Sequence, residues 1–210
     1  GESCGQKRGS IILIIKIIFY IFLFILQMNL VFGKSEKSNI LKKLSNLDSI
    51  RFDFTQYTNE KIEKGECILL FPRKLKCTYS DDKQKEMIIN GDRMSITQKR
   101  YDKTYYYPIS KSALIQILDK DKLFNMIEKS RLVIDGEKIK LVGSNEEIII
   151  LFENKEFNLV GWEINDKFNN ITKFIIKVKM INEKLDEDEF KPLYPLQYEE
   201  KKIGKHSNAL

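Results

Sequence analysis

Chemistry needs reactive side chains, and this chain has few. Its only histidine, His206, stands in the polar closing stretch "KKIGKHSNAL". A Ser-His-Asp or Cys-His device needs that imidazole inside a site, with a partner on each side. Of the three cysteines, Cys4 precedes a long apolar run, while Cys67 and Cys77 flank the core of "GECILLFPRKLKCTY". Two thiols ten residues apart and one distant imidazole do not make a zinc template. No glycine-rich loop is arranged to cradle a phosphate. The acidic groups at Asp81-Asp82 and in "LDEDEF" read as turns and solvated surface. No catalytic residue, metal site or cofactor is expected, and a binder or carrier fits better than an enzyme.

The elements around these residues are mostly strands. "RFDFTQYT" alternates, with Phe52 and Phe54 on one face. "ECILLF" and "KLKCTY" are strands about Pro72, and "KEMIIN" and "RMSITQ" flank the Asn90-Gly91 hairpin signal. "KTYYYPI" is strand-like up to Pro108. "RLVID" and "KIKLV" pair across Asp135-Gly136, followed by "EEIIILFE", "LVGWEI" and "TKFIIKVKM". Two helical segments interrupt this series. "SNILKKLSNL" carries Ile40, Leu41, Leu44 and Leu47 at helical spacing, with Ser38 or Asn39 as its cap. Residues 111–129 place Leu114, Ile117, Leu118, Leu123, Met126 and Ile127 on one stripe.

This order predicts a mainly β fold with some α: an incomplete antiparallel barrel of about 11 strands with a helical lid or plug. The amphipathic insertion must cover apolar surface, and the concave face of the sheet is the only large one available. Either helix and sheet form one packed core, or they enclose an apolar pocket. Alternation nominates the wall: Phe52, Phe54, Leu75, Cys77, Tyr79, Met94, Ile96, Trp162 and Ile164. Leu114, Ile117, Leu118, Leu123 and Met126 are the lid positions.

The N-terminus differs in composition. Lys7 and Arg8 precede "IILIIKIIFYIFLFILQMNLVFG", in which every residue from Ile17 to Leu26 is apolar. A basic start, a short apolar run and a small residue at Gly33 describe an export signal over residues 1–33. An uncleaved anchor is the alternative, because residues 11–32 are long enough to span a bilayer. Lys16, Gln27 and Asn29 weigh against it. Residues 34–191 then form the folded domain, and residues 192–210 a polar tail. The net charge is +6. Its lysines are dispersed rather than interleaved with aromatics, which sets nucleic acid aside.

The order of segments resembles the LolA-type periplasmic carriers of outer-membrane lipoproteins, from about Ile40 to Phe190. "FDFTQ" resembles the family's first-strand signature at Phe54, Thr55 and Gln56. "GECILLFPRKLKCTYSDD" resembles its glycine, strand, proline and basic-aromatic strand. "IINGDRMSI", "YYYPISKSALIQIL" and "INEKLDEDEF" resemble the segments that follow. The resemblance implies a half-barrel closed by helices and acylated lipoproteins as cargo. It also implies an inner-membrane release complex of the ATP-binding-cassette type, an outer-membrane receptor, and a monomer working in the periplasm. A lipid- or lipoprotein-sensing module of the same fold, membrane-anchored or not, is the alternative. Cys77 stands where the family places Trp or Phe, Lys76 where it places Arg, and Ser112-Ala113 where Thr-Pro is common. Phe71 replaces the arginine before the proline that helps hold the family's lid shut. Arg73, across the proline, is the candidate substitute.

Export permits a disulfide between Cys67 and Cys77. The turn places Thr78 or Tyr79 as the neat partner of Cys67, so a bridge and two buried free thiols both stand as readings.

Overall fold

The computed structural model describes residues 15–23, 35–110, 112–165 and 170–192. The chain divides into two units, Gly1–Ile40 and Leu41–Leu210. In the first, residues 15–23 are helical and exposed. Among the described residues, no helix is long and apolar enough to cross a membrane. Most of the expected signal segment and nearly all of the tail, His206 included, lie outside the described residues. Residues 35–45 are helical (α1), so Ser38 and Asn39 lie inside a helix rather than capping one.

The second unit is built on one sheet of eleven strands: β1 Ser49–Thr58, β2 Lys61–Leu70, β3 Lys74–Tyr79, β4 Lys85–Asn90, β5 Arg93–Gln98, β6 Lys103–Pro108, β7 Arg131–Asp135, β8 Lys138–Val142, β9 Ile148–Glu153, β10 Leu159–Asn165 and β11 Ile171–Ile181. Their spatial order is β6-β5-β4-β3-β2-β1-β11-β10-β9-β8-β7, and every neighbouring pair is antiparallel. The sheet is open, with β6 and β7 as its edges. Tight turns set the pairing. Gly91 and Gly136 adopt left-handed backbone (φ 65° and 60°) in two-residue hairpin turns, a conformation glycine enters at no steric cost.

The insertion joins one edge of the sheet to the other. It follows β6 and precedes β7, and it is broken rather than continuous: α2 covers Ile115–Leu118 and α3 covers Lys120–Lys129. Asp119, extended at φ −118°, separates them and caps α3 by accepting from the Lys122 N–H. Helical periodicity runs through Asp119, but a carboxylate that satisfies an orphan N–H at a helix start favours a break there.

The two faces of the sheet differ. Pairing register places Leu69, Leu75, Ile89, Met94 and Tyr107 in one transverse row. Trp162 lies in a row with Phe174, Ile150, Leu141 and Leu132. The opposite face carries a polar row of Asp53, Glu66, Thr78, Glu86, Thr97 and Thr104. The apolar rows and the buried helical stripe of Ile115, Ile117, Leu118, Leu123, Met126 and Ile127 form the two sides of one core.

A second, smaller core lies on the polar side. Phe190 is fully buried with Ile68 and Ile88, flanked by Leu70 and Leu185. The "LDEDEF" segment is therefore not wholly surface. Asp186, Glu187 and Asp188 stay exposed, with Glu187 paired to Lys74 at 2.9 Å, Glu189 is half-buried, and the phenylalanine plugs the sheet. The segment is fastened further by the Asn182 side chain, which accepts from the Asp48 N–H and donates to the Asn46 carbonyl.

Candidate functional site

The nine strand-borne wall candidates share one face. Phe52 pairs with Cys67, Cys67 with Cys77, and Cys77 with Met87, which in turn pairs with Ile96. Phe54 and Tyr79 both pair with Gly65, and Leu75 leads through Ile89 to Met94. Trp162 and Ile164 continue this face on β10, two residues apart.

An aromatic cluster occupies its centre. Phe52 meets Trp162 edge-on at 6.0 Å, and Trp162 stacks on Phe174 at 5.1 Å. Phe54 lies 5.4 Å from Phe174 and 5.0 Å from Tyr79. Phe174 belongs to the cluster although alternation did not nominate it for the wall; its signal was the clean period of "TKFIIKVKM". Gly65 makes the cluster sterically feasible. A Cβ there would come within 2.8 Å of the Phe54 ring and 2.1 Å of the Thr78 carbonyl.

In this state the face is closed. Phe52 is 1% exposed, Leu75 2% and Trp162 2%; Ile96 and Ile164 are half-buried. Of the lid positions, Ile117, Leu118, Leu123 and Met126 are buried and Leu114 is half-buried. A shallow cavity of about 200 Å³ lies elsewhere, lined by Val142, Ile149 and Ile171 with Arg131, Glu146, Glu163 and Asn165 around them.

Cys67 and Cys77 are joined as a disulfide within this wall, with their Cα atoms 4.1 Å apart. They are direct cross-strand partners, so the sequence-based assignment of Thr78 or Tyr79 opposite Cys67 is corrected. A three-residue turn, Phe71-Pro72-Arg73, sets that register.

The same turn ends in a latch. Arg73 has a left-handed backbone (φ 57°). Its N–H donates to the Leu118 carbonyl at 2.8 Å, and its own carbonyl accepts from the Gly91 N–H at 3.0 Å. Its guanidinium reaches Asp119 Oδ2 at 2.7 Å and Asp92 Oδ1 at 3.0 Å. One arginine thus ties the β2–β3 turn, the β4–β5 turn and the joint between α2 and α3. Burial pushes the Asp119 carboxyl up, but hydrogen bonds from Arg73 and the Lys122 N–H outweigh it and hold the group below its ordinary range.

The far end of the wall is polar. The Tyr79 hydroxyl donates to Gln56 Oε1 at 3.1 Å, and Lys85 lies 3.7 Å over the Tyr79 ring while pairing with Glu63. Burial, then the nearby Glu63 and Asp81, push the Tyr79 phenol far above its ordinary value. It stays neutral, as a hydrogen-bond donor at the rim. Asp81 serves a turn, where it accepts the Lys85 N–H at 2.9 Å. Among the described residues no cluster of three metal-ligating side chains exists.

The family model described as "Outer membrane lipoprotein carrier protein LolA" matches residues 45–193. No curated protein matches this chain. Solved structures do. An uncharacterized conserved protein from Thermus thermophilus is 11% identical, covering 78% of this chain and 95% of its own, with a TM-score of 0.48. A LolA superfamily protein from Nitrosomonas europaea is 7% identical over 75% of this chain and 98% of its own, at 0.40. The lipoprotein LppX from Mycobacterium tuberculosis is 16% identical over 72% and 96%, also at 0.40.

Proposed function

This chain belongs to the LolA family, and from that premise we propose that it is a periplasmic carrier of acylated lipoproteins. The inner face receives acyl chains, and the α2–α3 crossover is the lid that covers that face when it is empty. One observation carries the reading. A continuous aromatic and aliphatic face is covered by an element held at its joint, among the described residues, by two ion pairs, Arg73 with Asp119 and Lys120 with Asp48, and one main-chain bond from Arg73 to Leu118, not by a chain of main-chain pairs. Such a closure can be undone without unfolding the sheet.

The energetics suit transient carriage. Each buried methylene contributes about 0.8 kcal/mol. Several long chains fully buried would exceed the practical affinity ceiling of about 20 kcal/mol. Release therefore requires that lid and cargo compete for the same surface, so that lid closure offsets most of the gain on loading. Ile117, Leu118, Leu123 and Met126 are the competing side chains. Arg73 takes the latch role that Phe71 cannot fill. The donor is an inner-membrane complex of the ATP-binding-cassette type and the acceptor an outer-membrane receptor.

Native mass spectrometry with lipid extraction, on protein recovered from the periplasm, tests this. Bound acylated cargo and uptake from inner-membrane vesicles are expected. Reproducible absence of both would sink the carrier role.

A further inference from the structure

Trp162 is 2% exposed, and its indole nitrogen is buried without any hydrogen-bond partner. Its ring neighbours are Phe52 and Phe174, and its cross-strand partner on β9 is Ile150. None of these side chains offers an oxygen acceptor. A buried indole N–H ordinarily finds one, and a native donor left unpaired calls for an explanation. Phenylalanine would supply an aromatic stacking surface, smaller but with no such penalty.

The backbone is shaped to put this residue where it is. The register shifts between Leu159 and Gly161, one residue before the tryptophan. Gly161 has φ +152°, and a Cβ there would lie 2.1 Å from the Phe174 carbonyl oxygen. Only glycine permits the close approach of β10 to β11 that stacks Trp162 on Phe174.

We propose that the Trp162 N–H is the donor for the carbonyl oxygen that links an acyl chain to its cargo. It makes the inner face selective for ester- or amide-linked chains over plain alkyl chains. A hydrocarbon tail has no acceptor to offer, whereas an acyl group carries one sp² oxygen at its head. In the closed state the donor waits unpaired inside the aromatic cluster; loading satisfies it. This assignment rests on the acyl-binding reading above and adds to it a named donor and a chemical preference.

The test compares two probes of equal chain length, dioctanoyl-phosphatidylglycerol and its dioctyl ether counterpart, titrated calorimetrically into the full chain. The expected preference for the ester is about three- to tenfold, the size of one net hydrogen bond. In Trp162→Phe the ester-to-ether affinity ratio should fall to about one, whatever the change in overall affinity. Because the chain has a single tryptophan, the hydrogen-bond-sensitive indole Raman band of the unsubstituted protein gives a second readout that needs no variant. It should shift with ester and not with ether. Equal affinity of the parent for both lipids, or an ester preference that survives in Trp162→Phe, overturns the inference while leaving acyl binding intact. Failure of the parent to bind either lipid removes the acyl-binding reading and this inference with it.

Discussion

Gly65 shows how much one missing side chain can decide. Both of its cross-strand partners, Phe54 and Tyr79, lean over it and meet each other at 5.0 Å. Gly65→Ala would force a methyl group against a ring and a carbonyl. The expected loss is about 1–3 kcal/mol, the usual cost of overpacking, measured as a lower urea midpoint with an unchanged slope. Tyr79→Phe removes only the bond to Gln56, so its expected effect is about 1 kcal/mol. A result in the opposite order would show that the rim hydrogen bond, not the ring packing, holds this corner.

At the scale of elements, the β2–β3 hairpin unites a staple and a latch. The disulfide closes a segment with a sequence separation of 10. Replacing both cysteines by alanine should cost about 2–4 kcal/mol, read as a drop in midpoint under non-reducing conditions. The latch has its own pH signature. The folded-state carboxyl of Asp119 sits below its ordinary value, so its contribution is complete above the unfolded value of about 3.9. It is lost as the pH falls through the lower folded value. Hydrogen exchange across residues 112–129 should therefore keep its protection from neutral pH to about 5, with faster opening only below about 4. Arg73→Ala should show that faster opening already at pH 7. If it does not, the Lys120–Asp48 pair and the buried apolar stripe hold the crossover down without Arg73.

At the scale of the whole domain, the two sides of the sheet are expected to separate in function. Phe190 anchors the C-terminal strap in the small core with Ile68 and Ile88, on the side opposite the aromatic cluster. Phe190→Ala should cost about 3–5 kcal/mol of stability. Acyl-chain affinity of the remaining folded protein should stay the same. A matching loss of affinity would mean that the strap and the inner face are coupled through the sheet.

Much of this organisation was legible in the chain itself. Alternation of Phe52 with Phe54, or of Met94 with Ile96, has a period of two, and that period places each pair on one face without any tertiary information. Asn90-Gly91 and Asp135-Gly136 announced their turns because only a few residues tolerate left-handed backbone. The strand count and the pairing of consecutive strands followed from these local signals, whereas the pairing of β1 with β11 joins the two ends of the chain's strand series and did not. The insertion's apolar stripe likewise had to meet the inner face.

What pattern could not supply was distance and register between segments far apart in sequence. The three-residue turn that sets Cys67 opposite Cys77 differs by one residue from turns that would not, and composition does not distinguish them. The carboxylate that caps α3 at the Asp119 break is also bonded by an arginine 46 residues away. Phe190 looked like one apolar residue in an acidic run, until the outer face of β2 and β4 was seen to leave room for it. The unpaired nitrogen of Trp162 is visible only once every neighbour is placed. Local periodicity determined which residues face inward, because it is a property of the backbone. Tertiary structure alone decided which of them touch, bond or wait, because those depend on how strands far apart in the chain come to lie side by side.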